Sequence, residues 1–284
     1  MSIRKIGVVG AGAMGTGIAH VAAMSGYEVI LRDIDISFVE RSIKNMDKFM
    51  ARSVEKGKMT EEQRQATLSR VKGTVTLEEF AEADFVIEAV LEEIDLKKEV
   101  FQALDKICRP ETILATNTSS MSITAIAAST GKPDKVCGIH FFNPAQIMRL
   151  VEVIRGLQSS DETIAAAKAL AQSFGKTPIE IKKDSPGFVV NRIMIASNVV
   201  AARLFEEGVA SMEDIDMAVK LGLNYPMGPF ELMDFTGIDI NYFVMEYLAN
   251  ELRDNQYAAP QIVKQLVRAG RLGKKTGGGF FPNK

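Results

Sequence analysis

The stretch "IRKIGVVGAGAMGTG", residues 3–17, passes from a short apolar run into a glycine-rich loop and then into residues with helical periodicity. The apolar run reads as a buried strand. Behind the loop, Met14, Ile18, Val21 and Ala22 fall on one helical face. Gly10, Gly12 and Gly15 form the pattern GxGxxG in the strand–turn–helix setting that gives the pattern meaning. The three glycines differ in what they allow. Gly10 permits a tight turn, Gly12 lets the backbone approach a pyrophosphate, and Gly15 lets the helix pack closely on the strand. Ala13 and Met14 open that helix, whose N–H groups and positive dipole end suit the phosphates of a dinucleotide. The next strand, "YEVILRD", ends at Asp33, placed to accept hydrogen bonds from a ribose 2′-hydroxyl, which points to NAD. Arg32 beside it keeps NADP as the alternative. A solvated aspartate at a strand end is the plainer reading of Asp33.

Working outward, "ADFVIEAV", "TILATN", "KVCGIHFF", "LVEVI" and "PIEIKK" are further short strands, separated by helical stretches such as Asp95 to Ile107 and Asp161 to Phe174. Strand–helix alternation predicts a mostly parallel sheet covered on both faces, a Rossmann-type α/β domain. Residues 35–72 read as a long, charged, helical excursion, broken at "EKGKMT", where Gly57 stops one helix and Thr60 caps the next. Character changes at "DSPGF". Beyond it no strand stands out before the last residues, so an all-α C-terminal domain is expected from 185, the first domain spanning 1–184. Residues 187–207 are apolar nearly all round, as in a helix buried on several sides and shared between a domain core and a subunit interface. Pro186 and Gly187 mark a hinge, about which the second domain would close over a substrate.

Composition narrows the function classes. With 284 residues, 46% hydrophobic and 25% charged, the chain has the makeup of a globular protein. A net charge of −2 gives no field to recruit nucleic acid or an anionic membrane. Two separated cysteines, Cys108 and Cys137, make neither a disulfide framework nor a cysteine-rich metal site, and no metal is expected. The early first strand leaves no room for a signal peptide, and no segment has the apolar length of a membrane helix. A cytoplasmic protein is expected, or a trimmed matrix protein.

A chain that binds a nicotinamide and oxidises an alcohol needs a base for the hydroxyl proton. There are two histidines. His20 lies inside the first helix and suits packing or a supporting contact near the cofactor. His140 closes the strand "KVCGIH", where ligands of open α/β sheets bind. Taken alone, a histidine at the end of an apolar strand is more often structural, and the strand-end position after a nucleotide-binding motif is what favours the catalytic reading. Glu152, in "LVEVI", could hold one ring nitrogen and fix the tautomer, or be an ordinary strand glutamate.

The signatures "VVGAGAMGTGIA", "LRD", "FVIEAVLEE", "LATNTSSMSIT", "GIHFFNPAQIMRLVEVI", "DSPGFVVNR", "PMGPFEL" and "GKKTGGGF", in this order over nearly the whole chain, resemble the L-3-hydroxyacyl-CoA dehydrogenase family, and its short bacterial members above all. The resemblance implies NAD-dependent interconversion of an (S)-3-hydroxyacyl-CoA, such as 3-hydroxybutyryl-CoA, and a 3-ketoacyl-CoA. It implies His140 as general base and Glu152 as its orienting partner. Ser119 and Asn191 would hydrogen-bond the substrate oxygens, and Glu92, Lys97, Asn117, Asn143 and again Ser119 would line the cofactor's ribose and nicotinamide side. Arg52 and Lys56 match the family's basic residues that meet coenzyme A, and a homodimer through the C-terminal domain is implied. Plainer readings exist: Ser119 and Asn117 as turn formers, Asn191 on a helix surface, Arg52 and Lys56 on a solvated helix face. Tyr225 stands where many relatives carry histidine. Two other functions share the fold, a dehydrogenase of a free hydroxy or sugar acid and a non-catalytic NAD-binding protein.

Overall fold

The computed structural model describes residues 3–282. Strands β1 (Lys5–Val9), β2 (Glu28–Arg32), β3 (Val71–Thr74), β4 (Phe85–Glu88), β5 (Ile113–Thr116), β6 (Val136–Phe141), β7 (Leu150–Ile154) and β8 (Thr177–Ile181) form one sheet in the order β3-β2-β1-β4-β5-β6-β7-β8. The first six strands are mutually parallel and take the doubly wound dinucleotide-binding order. β7 runs antiparallel to β6, and β8 is parallel to β7. Helices α1 (Ala13–Met24), α2 (Ile36–Glu55), α3 (Glu61–Ser69), α4 (Ile94–Ile107), α5 (Ile123–Ala127) and α6 (Asp161–Ser173) connect them.

Strand periodicity explains the layering. In β4, Phe85 and Ile87 join an apolar cluster with Ile18 and Ala22 of α1 and Ile164 of α6. Val86 between them joins the cluster of Val100, Phe101 and Leu104 of α4. Successive strand side chains point to opposite faces, and here each face has its own apolar cover. The sheet therefore reads as continuous apolar runs in sequence.

The excursion differs from its sequence reading at its end. Thr60 caps α3 in a capping box with Gln63, and Gly57 takes φ +66° where α2 stops. The helical stretch nevertheless ends at Ser69, and β3 follows at once. β3 escapes a pattern search because it is the four-residue edge strand "VKGT". Lys72 projects to solvent and pairs with Glu79 at 2.6 Å. Gly73 leaves room for Val39 of α2, which a Cβ would meet at 2.6 Å.

The chain divides into two compact units, Met1–Asp184 and Ser185–Lys284. The second holds α7 (Val190–Glu206), α8 (Met212–Gly222), α9 (Pro229–Thr236), α10 (Ile238–Leu252) and α11 (Gln261–Arg268). Its core gathers Ile195, Val199, Phe230, Met233, Met245 and Leu248. Two buried aspartates brace it. Asp216 of α8 accepts from the Phe230 and Glu231 N–H groups at the head of α9, both at 2.9 Å. Burial pushes its carboxyl pKa up in spite of those two donors. Asp234 accepts from the N–H groups of Phe280 and Phe281 at 2.8 and 2.9 Å, which fixes "GKKTGGGF" against α9. α7 is less buried than its composition implies: Ile195 and Val199 are enclosed, while Ile193 and Val200 are 61% and 54% exposed. No helix among the described residues is long and apolar enough to cross a membrane.

Candidate active site

Because β1 to β6 are parallel, their carboxyl ends share one edge of the sheet, and the loops leaving that edge collect the polar groups. The glycine loop leaves β1. Gly10 has φ +105°, and a Cβ on it would meet the Ala89 carbonyl oxygen beyond β4 at 2.4 Å. A Cβ on Gly15 would meet the Gly10 oxygen at 1.7 Å, so α1 seats against its own loop only with glycine there. Gly12 differs: nothing lies within 4 Å of a Cβ built on it. It is the N-cap of α1, and no side chain caps that helix end. Exposed backbone at an uncapped helix N-terminus fits the diphosphate of a dinucleotide. Ala13 and Met14 form the first turn.

Asp33 follows β2 and braces this loop. Its Oδ2 accepts from the Ala11 N–H at 2.6 Å and its Oδ1 from the Ile34 N–H at 2.7 Å. Arg32 donates from Nε to the Val75 carbonyl at 3.0 Å, so it is engaged toward the end of β3. The carboxylate beside the loop fits a ribose diol and repels a 2′-phosphate.

His140 and Glu152 are direct cross-strand partners in the β6–β7 ladder. Cys137, Ile139, Phe141, Val151 and Val153 all join the α1-side cluster. Alternation therefore turns both His140 and Glu152 to the opposite face. There His140 Nδ1 lies 2.8 Å from Glu152 Oε2, with the histidine 5% and the glutamate 0% exposed. A buried carboxylate is tolerated when it is paired. It orients the imidazole ring. Phe142 packs on the imidazole, ring centroids 4.5 Å apart.

His20 is a different case. It is fully buried in α1, edge-on to Phe49 of α2, and neither ring nitrogen has a hydrogen-bond partner among the described residues. Burial holds its pKa down to about 4. It stays neutral near pH 7 and serves packing.

A second polar group links β4, α4 and the loop after β5. Glu92 Oε1 accepts from Thr118 Oγ1 and, at 2.9 Å, from the Ser119 N–H. Lys97 Nζ lies 3.1 Å from Glu92 Oε2 and 2.8 Å from Glu88 Oε1. Burial raises the Glu92 pKa, but the Lys97 charge and the donors on Thr118 and Ser119 outweigh it and hold the carboxyl below its ordinary value. Glu88, Thr116 and Thr118 do not stand out in the sequence. A lone glutamate in the apolar run "FVIE" is the one signal it offers for them. Asn117 accepts from the Phe141 N–H through Oδ1 at 2.9 Å, which ties the β5 loop to the end of β6. Asn143, on the exposed β6–β7 loop, precedes a cis proline, Pro144.

Arg52 sits in the last turn of α2 and Lys56 is its C-cap, both exposed. Asn191 lies in the second unit, in the first turn of α7. Among the described residues no group of three or more His, Cys, Asp or Glu side chains could hold a metal ion.

A sheet in this strand order, a fitted glycine loop with its aspartate, and an oriented imidazole at the same edge place the chain among the nicotinamide-dependent oxidoreductases. Residues 5–185 match the family model for the 3-hydroxyacyl-CoA dehydrogenase NAD binding domain, and residues 187–282 match that for its C-terminal domain. The chain belongs to the 3-hydroxyacyl-CoA dehydrogenase family. It is 47% identical over 281 residues to a probable 3-hydroxybutyryl-CoA dehydrogenase of Bacillus subtilis, covering 99% of this chain and 98% of that one. It is 43% identical over 277 residues to the 3-hydroxybutyryl-CoA dehydrogenase of Clostridioides difficile, covering 98% of each. The crystal structure of (S)-3-hydroxybutyryl-CoA dehydrogenase from Ralstonia eutropha superposes with a TM-score of 0.97 over 100% of both chains, at 43% identity.

Proposed function

We propose that this chain interconverts (S)-3-hydroxybutyryl-CoA and acetoacetyl-CoA with NAD, through His140 as acid and base. The observation that carries the reading is the buried contact between His140 Nδ1 and Glu152 Oε2 at 2.8 Å, on the sheet edge that also bears the glycine loop. His140 Nε2 takes the C3 hydroxyl proton in oxidation and returns it to the nascent alkoxide in reduction. Glu152 stabilises the imidazolium formed in between. Ser119 and Asn191 hold the substrate oxygens. Glu92, Lys97, Asn117, Ser119 and Asn143 line the ribose and nicotinamide side, and Arg52 and Lys56 meet the coenzyme A phosphates. Bound NAD supplies the hydride acceptor.

Initial rates of NADH oxidation test this directly. Turnover with acetoacetyl-CoA is expected to exceed that with free acetoacetate by at least about 10²-fold, since binding energy from the remote coenzyme is used at the reacting carbon. The double change Arg52→Glu, Lys56→Glu is expected to raise KM for the thioester several-fold and leave NADH affinity alone. Equal rates on the two substrates, with no response to the double change, would mean a dehydrogenase of free acids. Cofactor binding without turnover on either would mean a binding protein.

The same reading includes a homodimer built on the second unit. Ile193, Ala196, Val200 and Leu204 recur on one face of α7 at helical spacing, and Ala196, Val200 and Leu204 line a groove of about 310 Å³ with Ile215 and Val219 of α8. A contiguous apolar surface of this kind is a usual place for a partner subunit. Light scattering is expected to give twice the chain mass, and Val200→Asp half of that. A wild-type monomer at micromolar concentration would remove the proposal.

A further inference from the structure

The charge balance around Lys97 has a consequence for the cofactor's redox state. Glu88 is fully buried, and each of its oxygens is occupied. Oε1 accepts from the Val90 N–H at 2.7 Å and from Lys97 Nζ at 2.8 Å, and Oε2 accepts from Thr116 Oγ1 at 2.7 Å. Lys97 is 1% exposed, so its ammonium has exchanged water for the two carboxylates and the Val90 carbonyl at 3.5 Å. Removing one member of such a buried pair leaves the other uncompensated. One ammonium faces two carboxylates. Glu88 by itself would neutralise it, so the trio carries one net negative charge. That charge falls to Glu92, whose side chain is 31% exposed and whose carboxyl holds Ser119 through its N–H.

We infer that Glu88 is a positioning residue for the cofactor's redox state: by offsetting the Lys97 charge it leaves the Glu88–Lys97–Glu92 group with one net negative charge, which the part-exposed Glu92 presents at the nicotinamide side and which favours the oxidised ring over the reduced one. The inference rests on the NAD dehydrogenase reading above, in which Glu92 and Ser119 line that side. The oxidised nicotinamide is a cation. On accepting a hydride it becomes neutral, while the diphosphate charge is the same in both forms. A nearby fixed anion therefore acts on one redox state and not on the other. Glu88 also anchors Lys97, and through it the Glu92 carboxylate against the loop bearing Ser119.

The test compares dissociation constants of NAD+ and NADH, measured separately by calorimetry and by NADH fluorescence. The ratio Kd(NAD+)/Kd(NADH) separates a charge effect from a loosened loop, since loosening weakens both forms alike. Glu88→Gln makes the trio neutral and is expected to raise the ratio about tenfold, the order of one unit charge acting from a neighbouring group. Glu92→Gln also makes it neutral, without disturbing the buried pair, and is expected to do the same. Glu88→Gln combined with Lys97→Met restores one net negative charge and should return the ratio to within about twofold of wild type. If Glu88→Gln fails to fold, the Glu92→Gln ratio and that of the double variant decide. A ratio unchanged in the neutralising variants that bind both forms overturns the inference and leaves the dehydrogenase reading standing. A wild-type protein that binds neither form overturns that reading itself.

Discussion

His140→Gln is expected to lower kcat for acetoacetyl-CoA reduction by about 10²- to 10⁴-fold and to change the NADH dissociation constant by less than about threefold. Glutamine keeps a hydrogen-bonding group near Glu152, so the ladder pair at 2.8 Å loses little of its packing. It has no group that takes up and gives back a proton near neutral pH, and positioned acid–base catalysis is worth about that factor. Glu152→Gln is expected to lie between the two, because the imidazole stays in place and loses the anion that stabilises its charged form. The measurement is a pair of kcat and KM determinations with stopped-flow NADH titration. A glutamine variant within about tenfold of wild type would move the base elsewhere. His20 is no substitute, since it is fully buried within α1 and burial holds it neutral.

The second large effect separates two glycines of one motif. Gly15→Ala puts a methyl group 1.7 Å from the Gly10 carbonyl oxygen, which is backbone and cannot rotate aside. Either α1 or the loop must shift, at the about 1–3 kcal/mol or more typical of overpacking. A fall in Tm of several degrees is expected together with loss of NAD binding. Gly12→Ala meets nothing within 4 Å. Its Tm should stay within about 1 °C of wild type, while its methyl group stands where the diphosphate approaches and weakens NAD at least about tenfold. Thermal melts with and without NAD read both. Equal Tm losses in the two variants would contradict this division of labour.

Much of this architecture is legible in the chain because it is local. A glycine loop between an apolar run and a helical face, and an aspartate closing the next strand, each occupy one short window. β3 is hidden because "VKGT" has neither an apolar run nor alternation, and is an edge strand whose partners lie far away in sequence. The contact between His140 and Glu152 is not readable from their spacing of 12 either. It depends on β7 turning back along β6, and alternating parallel units give no hint of a reversal. Glu88 looks like one more strand residue, since the ammonium that explains it sits on the following helix. The exposure of Ile193 and Val200 is likewise a property of how α7 packs, not of its composition.

The ladder that joins β6 to β7 also bears on how such an enzyme can change over generations. His140 and Glu152, the proposed acid–base pair, are fixed by backbone pairing in the interior of a sheet, where a shift by one residue would turn both to the wrong face. Residues 142–149, which connect these strands, and the excursion after β2 are mostly surface segments, and such segments accept insertion and replacement. Descendants can therefore be reshaped at positions of those segments other than Phe142, Asn143, Arg52 and Lys56 while keeping the pairing of His140 with Glu152. For protein engineering, variation belongs at the remaining positions of those two segments, and the pairing beneath them is best left untouched.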